Sequence, residues 1–310
     1  MHALSLHGLK KTYRNGHQAL QGIDLEVSQG DFFALLGANG AGKSTAIGII
    51  AGLVKKSEGQ IRVFGHDVDR EPFAARRCIG LVPQEINFNQ FERVEDIVMN
   101  QAGFYGLPYR HAKARTELCL KLLQLWDKRK TTSRTLSGGM KRRLMIARAL
   151  VHQPRMLILD EPTAGVDIEI RRSLWALLRE INQAGTTIIL TTHYLEEAEH
   201  LCRHLAIIDG GRIVQHSTLS AMLGQLQQET WLLDIDSSPD HTLPSPPQLE
   251  HYRITLEDGG DSWCVRTTAE HGIHPLLLQL AELGITVKSL RPASNRLEQL
   301  LLQTSHGATP

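Results

Sequence analysis

Short, unbroken apolar runs and longer stretches of helical period alternate along most of this chain. That is the pattern of strands buried on both faces between covering helices. Residues 1 to about 30 predict strands. Asp31-Phe-Phe-Ala-Leu-Leu-Gly37, Arg155-Met-Leu-Ile-Leu-Asp160 and Thr186-Thr-Ile-Ile-Leu-Thr-Thr192 each read as a short core strand. Lys43-Ser-Thr-Ala-Ile-Gly-Ile-Ile50 reads as a helix directly after the first of them. Residues 91 to 135 are mainly helical, with Arg110 to Leu125 amphipathic and rich in leucine. A further helix is predicted from Met140 to about His152, with Leu144, Ala147 and Val151 inward on one face. From Met140 to Ser217 strands and helices alternate, as a layered α/β core requires.

The pattern changes near Leu223. Ser237-Ser-Pro-Asp-His-Thr-Leu-Pro-Ser-Pro-Pro247 holds four of the 12 prolines and predicts a loop. Strands are expected at Thr230 to Ile235, Tyr252 to Leu256 and Trp263 to Thr267. A helix at Ile273 to Leu283, a strand at Ile285 to Leu290 and a terminal helix near Asn295 to Leu302 follow. Residues 223–310 therefore read as a small α+β domain without a chemical motif, after a larger domain over 1–222.

Between the first core strand and its helix lies Gly37-Ala-Asn-Gly-Ala-Gly-Lys-Ser-Thr45, which fits G-x-x-x-x-G-K-[ST] with strand before and helix after. Gly37, Gly40 and Gly42 let the backbone turn tightly, so that amides of Ala38, Asn39 and Ala41 point into one concavity. Amide donors and helix dipole both favour a phosphate there. Lys43 is expected on the β- and γ-phosphates, Ser44 on Mg²⁺, and Thr45 beside it. Asp160 ends the second core strand and is expected to hold the same Mg²⁺. Side chains alternate along a strand, so Glu161 is expected to point differently and to orient or deprotonate the attacking water.

Leu136-Ser-Gly-Gly-Met140 precedes the helix that begins near Met140. Ser137 stands near its N-cap, and Gly138 and Gly139 leave room for a close backbone approach. Lys141, Arg142 and Arg143 are expected to form a solvated basic face rather than a nucleic-acid surface.

These three segments, in this order, resemble the ATP-binding subunits of ABC transporters, and Leu136-Ser-Gly-Gly-Met140 resembles their signature. The resemblance covers residues 1 to 222. It implies a P-loop NTPase core with an antiparallel β subdomain and a helical subdomain at about 91–152. It implies ATP and Mg²⁺ as cofactors and a head-to-tail pair of identical chains. In that pair Ser137, Gly138 and Gly139 would meet the nucleotide of the other copy. Tyr13 falls where a ring stacks on adenine, Gln84 where a glutamine senses Mg²⁺, and Asp167 in the loop that meets the opposite subunit. His193 falls where a histidine contacts the γ-phosphate. Met140 departs from the commoner glutamine and is given no polar contact; Val166 replaces a commoner leucine.

Composition narrows the partners. Lys and Arg total 34 against 33 Asp and Glu, which gives no global case for nucleic acid. Cys78, Cys119, Cys202 and Cys264 lack metal-ligand spacing and fit buried thiols. Met1-His-Ala-Leu-Ser5 has no signal-peptide pattern, and no apolar run approaches the roughly 20 residues a bilayer span needs. Membrane work would therefore fall to another polypeptide. The resemblance is nearest to the ABC-2-type exporter group and its YadG-type bacterial ATPases, which implies a separate integral-membrane permease and a place on the cytoplasmic side of the inner membrane. An importer ATPase with a regulatory tail and a soluble ABC protein acting on ribosomes or DNA are the two alternatives. The short span between Ser44 and Ser137 and the single set of motifs count against the second.

Overall fold

The structure is a computed structural model and describes residues 1–224, 228–236, 246–257, 262–268 and 271–293. The chain divides into two compact units, Met1–Thr218 and Leu219–Pro310.

The first unit opens with β1 (His2–Thr12) and β2 (Gln18–Ser28), followed by β3 (Phe32–Leu36) and α1 (Lys43–Ile50). Next come β4 (Glu58–Val63), β5 (His66–Asp67), α2 (Pro72–Arg77) and β6 (Ile79–Val82). Three helices follow, α3 (Val94–Phe104), α4 (Tyr109–Leu122) and α5 (Gly138–Leu150), with two 3-10 turns before the last. The unit closes with β7 (Met156–Asp160), α6 (Ile168–Gln183), β8 (Thr187–Thr192), α7 (Leu195–Leu201), β9 (His204–Asp209) and β10 (Arg212–Thr218).

Two sheets result. One is antiparallel in the order β2-β1-β4-β5; the other is six-stranded in the order β10-β9-β3-β8-β7-β6. In the second, β9, β3, β8, β7 and β6 run parallel, and only the edge strand β10 is antiparallel. Every residue of β3 and β8 is buried, which is why both read as apolar runs without alternation. In β2 the stretch Ile23–Ser28 does alternate, burying Ile23, Leu25 and Val27 and exposing Asp24, Glu26 and Ser28. Helix α1 lies in the core shared by the two sheets: Ala46, Ile47, Ile49 and Ile50 pack with Leu6, Leu25, Phe33, Ile158 and Ile189. At roughly 2 kcal/mol per buried isoleucine, this packing fixes the helix that begins at Lys43. Helices α3, α4 and α5 pack on one another as the expected helical subdomain.

Parallel pairing has one decisive consequence. Strands β3, β8, β7 and β6 are consecutive neighbours, so their carboxyl ends lie side by side along one sheet edge. The chain leaves that edge at Gly37, His193, Glu161 and Pro83, in that spatial order. Open α/β sheets bind ligands at such an edge.

The second unit contains α8 (Leu219–Leu223), β11 (Gln228–Ile235), β12 (Arg253–Leu256), β13 (Trp263–Thr268), α9 (Ile273–Glu282) and β14 (Val287–Pro292). Its antiparallel sheet, β12-β13-β11-β14, packs Leu233, Ile235, Trp263 and Val265 against Leu276 and Leu280 of α9. The expected terminal helix near 295–302 and most of the proline-rich loop lie outside the described residues. All four cysteines are free; Cys119 and Cys202 are buried, whereas Cys78 and Cys264 are only half-buried.

Candidate functional site

The Gly37–Thr45 turn begins as β3 ends. A Cβ on Gly37 would lie 2.3 Å from the Ile208 carbonyl oxygen, and one on Gly42 2.8 Å from that of Ala19. Gly42 also caps α1 at φ 112°, so glycine is required there for backbone and space alike. Asn39, Gly40, Gly42, Lys43, Ser44 and Thr45 line a cavity of about 530 Å³. Ala41 turns into the core instead, and its N–H donates to the Ala38 carbonyl at 3.2 Å.

Lys43 is buried and donates through Nζ to the carbonyls of Gly37 (2.6 Å) and Ala38 (3.0 Å). Burial lowers its pKa, and the carboxylates of Glu161 and Asp160 oppose that shift. A buried ammonium at the start of a helix is suited to a polyanion.

Glu161 departs from the expected strand alternation. β7 stops at Asp160, and Glu161 adopts a left-handed backbone at φ 47°. Its N–H donates to the Thr191 carbonyl (3.0 Å) and to the Thr191 hydroxyl (3.2 Å). The turn sends the side chain to the cavity, where it is only 8% exposed. Two groups hold the carboxylate: Gln84 Nε2 donates to Oε2 at 3.1 Å, and His193 Nδ1 lies 3.2 Å from Oε1. The carboxyl ends of β6, β7 and β8 thus meet at one carboxylate, which retains room to accept a proton from water. Asp160 is held differently, accepting from the Thr191 hydroxyl. Neither Thr191 nor His17, which also lines the cavity, was flagged by sequence; only the polar end of an apolar strand hinted at the former.

Tyr13 lines the cavity mouth. Its hydroxyl lies 3.3 Å from Thr45 Oγ1, its ring stacks on His17 at 6.4 Å, and Lys11 Nζ lies 4.9 Å above the ring.

Ser137, Gly138 and Asp167 do not line this cavity. Ser137 caps α5, its Oγ accepting from the Met140 N–H at 3.3 Å. Asp167 caps α6 in the same way, accepting from Ile170 N–H at 2.9 Å. Gly139 is buried, and a Cβ there would lie 2.6 Å from Ile170 Cγ2; at Gly138 a Cβ would meet nothing within 4 Å. Crowding inside the chain therefore explains glycine at 139 and leaves 138 unexplained.

The ABC transporter family matches this chain over residues 20–164. The daunorubicin/doxorubicin resistance ATP-binding protein DrrA of Streptomyces peucetius is 40% identical over 99% of this chain and 93% of its own length. The linearmycin resistance ATP-binding protein LnrL of Bacillus subtilis is 38% identical, covering 73% of each chain. The chain belongs to the ABC transporter ATP-binding family. The Nod factor export ATP-binding protein I of Cupriavidus metallidurans is 39% identical over 82% of this chain and 84% of its own. Among solved structures, an ATP-binding subunit of an ABC transporter superposes with a TM-score of 0.65 at 30% identity, over 72% of this chain and 92% of that one. A dimeric post-hydrolysis ATP-binding cassette bound to ADP and phosphate superposes at 0.64 with 27% identity, over 70% and 98%.

This ABC protein is an ATPase. The expected Mg²⁺ donors, the Ser44 hydroxyl, the Gln84 amide oxygen and the Asp160 carboxylate, are all hard oxygen ligands of the kind Mg²⁺ takes beside phosphate. Gln84 spends its Nε2 donor on Glu161, which leaves its oxygen as the free acceptor. Among the described residues no cluster of three His, Cys, Asp or Glu forms a metal site by itself. No described helix is long and apolar enough to cross a membrane.

One expectation fails. Arg142 does not lie on a solvated basic face: it is 7% exposed and donates through Nη1 to the Pro83 carbonyl at 2.9 Å. Helix α5 buries residues on most of its circumference, so the middle of three consecutive cations points inward.

Proposed function

We propose that this chain is the ATP-hydrolysing subunit of an exporter. Two copies pair head to tail and drive an integral-membrane permease of the ABC-2 type from the cytoplasmic side of a bacterial inner membrane. The observation that carries the reading is the division of the site: a P-loop cavity with a doubly held Glu161 on one side of the chain, and a serine-capped glycine turn that lines no part of it. A second copy supplies the missing half, in an isologous arrangement with two nucleotides at the interface. Relatives named for drug resistance and for Nod factor export favour export over import.

In this reading Lys43 and the turn amides hold the β- and γ-phosphates, and Tyr13 takes the adenine ring. Ser44, Gln84 and Asp160 would hold Mg²⁺, which would supply charge neutralisation to the bound phosphates. Glu161 orients the attacking water and takes its proton, while His193 faces the γ-phosphate and Gln84 fixes the carboxylate rotamer. Ser137, Gly138 and Gly139 of the facing copy close over the γ-phosphate, so ATP favours the closed pair by differential contact. Phosphate loss removes that contact, and opening moves the permease.

The test is Glu161→Gln with light scattering in ATP. We expect retained ATP binding, hydrolysis slowed at least about 100-fold, as loss of a positioned base implies, and an accumulated dimer. Ser137→Arg should bind ATP and remain monomeric. Normal turnover by Glu161→Gln would remove the assigned role.

A further inference from the structure

Helix α5 begins at the Ser137 cap, and Arg142 follows its first turn. Burying a guanidinium is costly unless it is paired or hydrogen-bonded, so its surroundings show what it is for. Its Nη1 donor reaches the carbonyl of Pro83, and the next residue, Gln84, donates to Glu161 Oε2. Burial lowers the pKa of this guanidinium, and the carboxylates of Glu197 and Asp160 oppose that shift.

Glu197 belongs to α7, which starts just after His193, and is 0% exposed. Trp175 Nε1 of α6 donates to its Oε1 at 3.2 Å. Burial pushes the Glu197 carboxyl up, the mark of an acid that relies on nearby donors and cations.

We propose that Arg142 is a positioning residue through which the serine-capped turn of α5 sets the Gln84 donor to Glu161. It acts on Gln84 through the Pro83 carbonyl. The inference rests on the function proposed above, in which that turn is the surface the facing copy's nucleotide touches. Movement of the turn on closure is then passed to the same chain's own carboxylate. Nucleotide in one site thereby readies the other for hydrolysis.

The experiment compares Arg142→Met, Glu197→Gln and the double variant in the full chain, measuring kcat, ATP affinity and thermal midpoint. Arg142→Met should lower kcat at least about 10-fold with ATP Kd held within about threefold. Its thermal midpoint should also fall, because the buried Glu197 carboxylate loses one of the two cations near it, Arg142 and Arg171. The double variant removes that carboxylate charge, so its midpoint should recover while kcat stays low. If Arg142→Met does not fold, the double variant carries the test alone. Wild-type kcat in Arg142→Met, or kcat restored in the double variant, would reduce Arg142 to a counter-charge and overturn the inference. Glu161→Gln run alongside separates the two readings: normal turnover there defeats the premise. Slow turnover there with an unaffected Arg142→Met defeats this inference alone.

Discussion

Replacing Gly139 by alanine sets two effects of known sign against each other. Alanine is favoured over glycine by about 1 kcal/mol in a helix interior and by at most that in the first turn, where Gly139 lies. At Gly139, however, the added carbon would lie 2.6 Å from Ile170 Cγ2 and 2.8 Å from Ile170 Cδ1. Carbon atoms prefer about 3.5–4.0 Å, so the contact between α5 and α6 must open by about 1 Å. Overpacking of that kind costs about 1–3 kcal/mol, which leaves Gly139→Ala less stable by about 1 kcal/mol after the propensity gain. Ile170→Ala removes the obstructing atoms, so the same alanine introduced into that background should be neutral or stabilising. Urea denaturation of the four proteins gives the coupling energy directly. ATPase rates then separate the two roles of the glycine. If it only spaces the helices, activity returns in the double variant; if it faces the partner's phosphate, activity stays low. A Gly139→Ala protein at least as stable as wild type, with Ile170 intact, would refute the packing argument.

Three further outcomes are expected. His193→Ala removes one of the two groups on the Glu161 carboxylate; a charge-assisted bond of about 1.5–3 kcal/mol implies kcat lower by about 10- to 150-fold with ATP affinity retained, measured by steady-state kinetics and nucleotide titration. His152 is half-buried and stacks on Tyr105 at 3.6 Å, with Nε2 donating to the Ile79 carbonyl, and desolvation depresses its pKa from 6.5 to about 4. The folded chain then binds fewer protons than the unfolded one, so this stability is whole above pH 6.5 and is lost as pH falls toward 4. The loss amounts to about 3 kcal/mol, and in denaturation midpoints across that window His152→Gln should flatten the decline. Asn182 Nδ2 donates to the carbonyls of Gly30, Asp31 and Thr186, so Asn182→Ala should cost about 2 kcal/mol in urea while turnover per folded molecule stays unchanged.

The strands that carry the site are legible because they are buried on both faces: β3 is wholly apolar, and β7 and β8 carry polar residues only at their ends. The carboxyl ends of β3 and β7 fall beside plain punctuation, the glycine turn and Pro162, whereas His193 follows β8 with none and is indicated only by resemblance to the family. For Glu161 the expected strand geometry fails. Period-two alternation cannot register a single left-handed residue at a strand end, and here that residue aims the carboxylate. Arg142 was missed for a related reason. Whether a cation on a helix faces water depends on how many sides of the helix are covered, and α5 is covered on most of them. Ser137 and Asp167 show a further limit, since helix caps with ordinary hydrogen bonds do not reveal whether they meet a second chain. In the second unit the elements could be read but not their pairing, because antiparallel order depends on side-chain matches between distant strands.

The left-handed backbone of Glu161 has a cost that falls on the living protein. A residue with a Cβ in that region gives up about 1–2 kcal/mol relative to a right-handed one, and glycine gives up almost none. Glu161→Gly releases that strain but also loses the bonds from Gln84 and His193, so it should be inactive with a stability within about 1 kcal/mol of its parent. Screening for durability alone would then leave glycine and glutamate nearly level, so demand for turnover keeps glutamate where it stands.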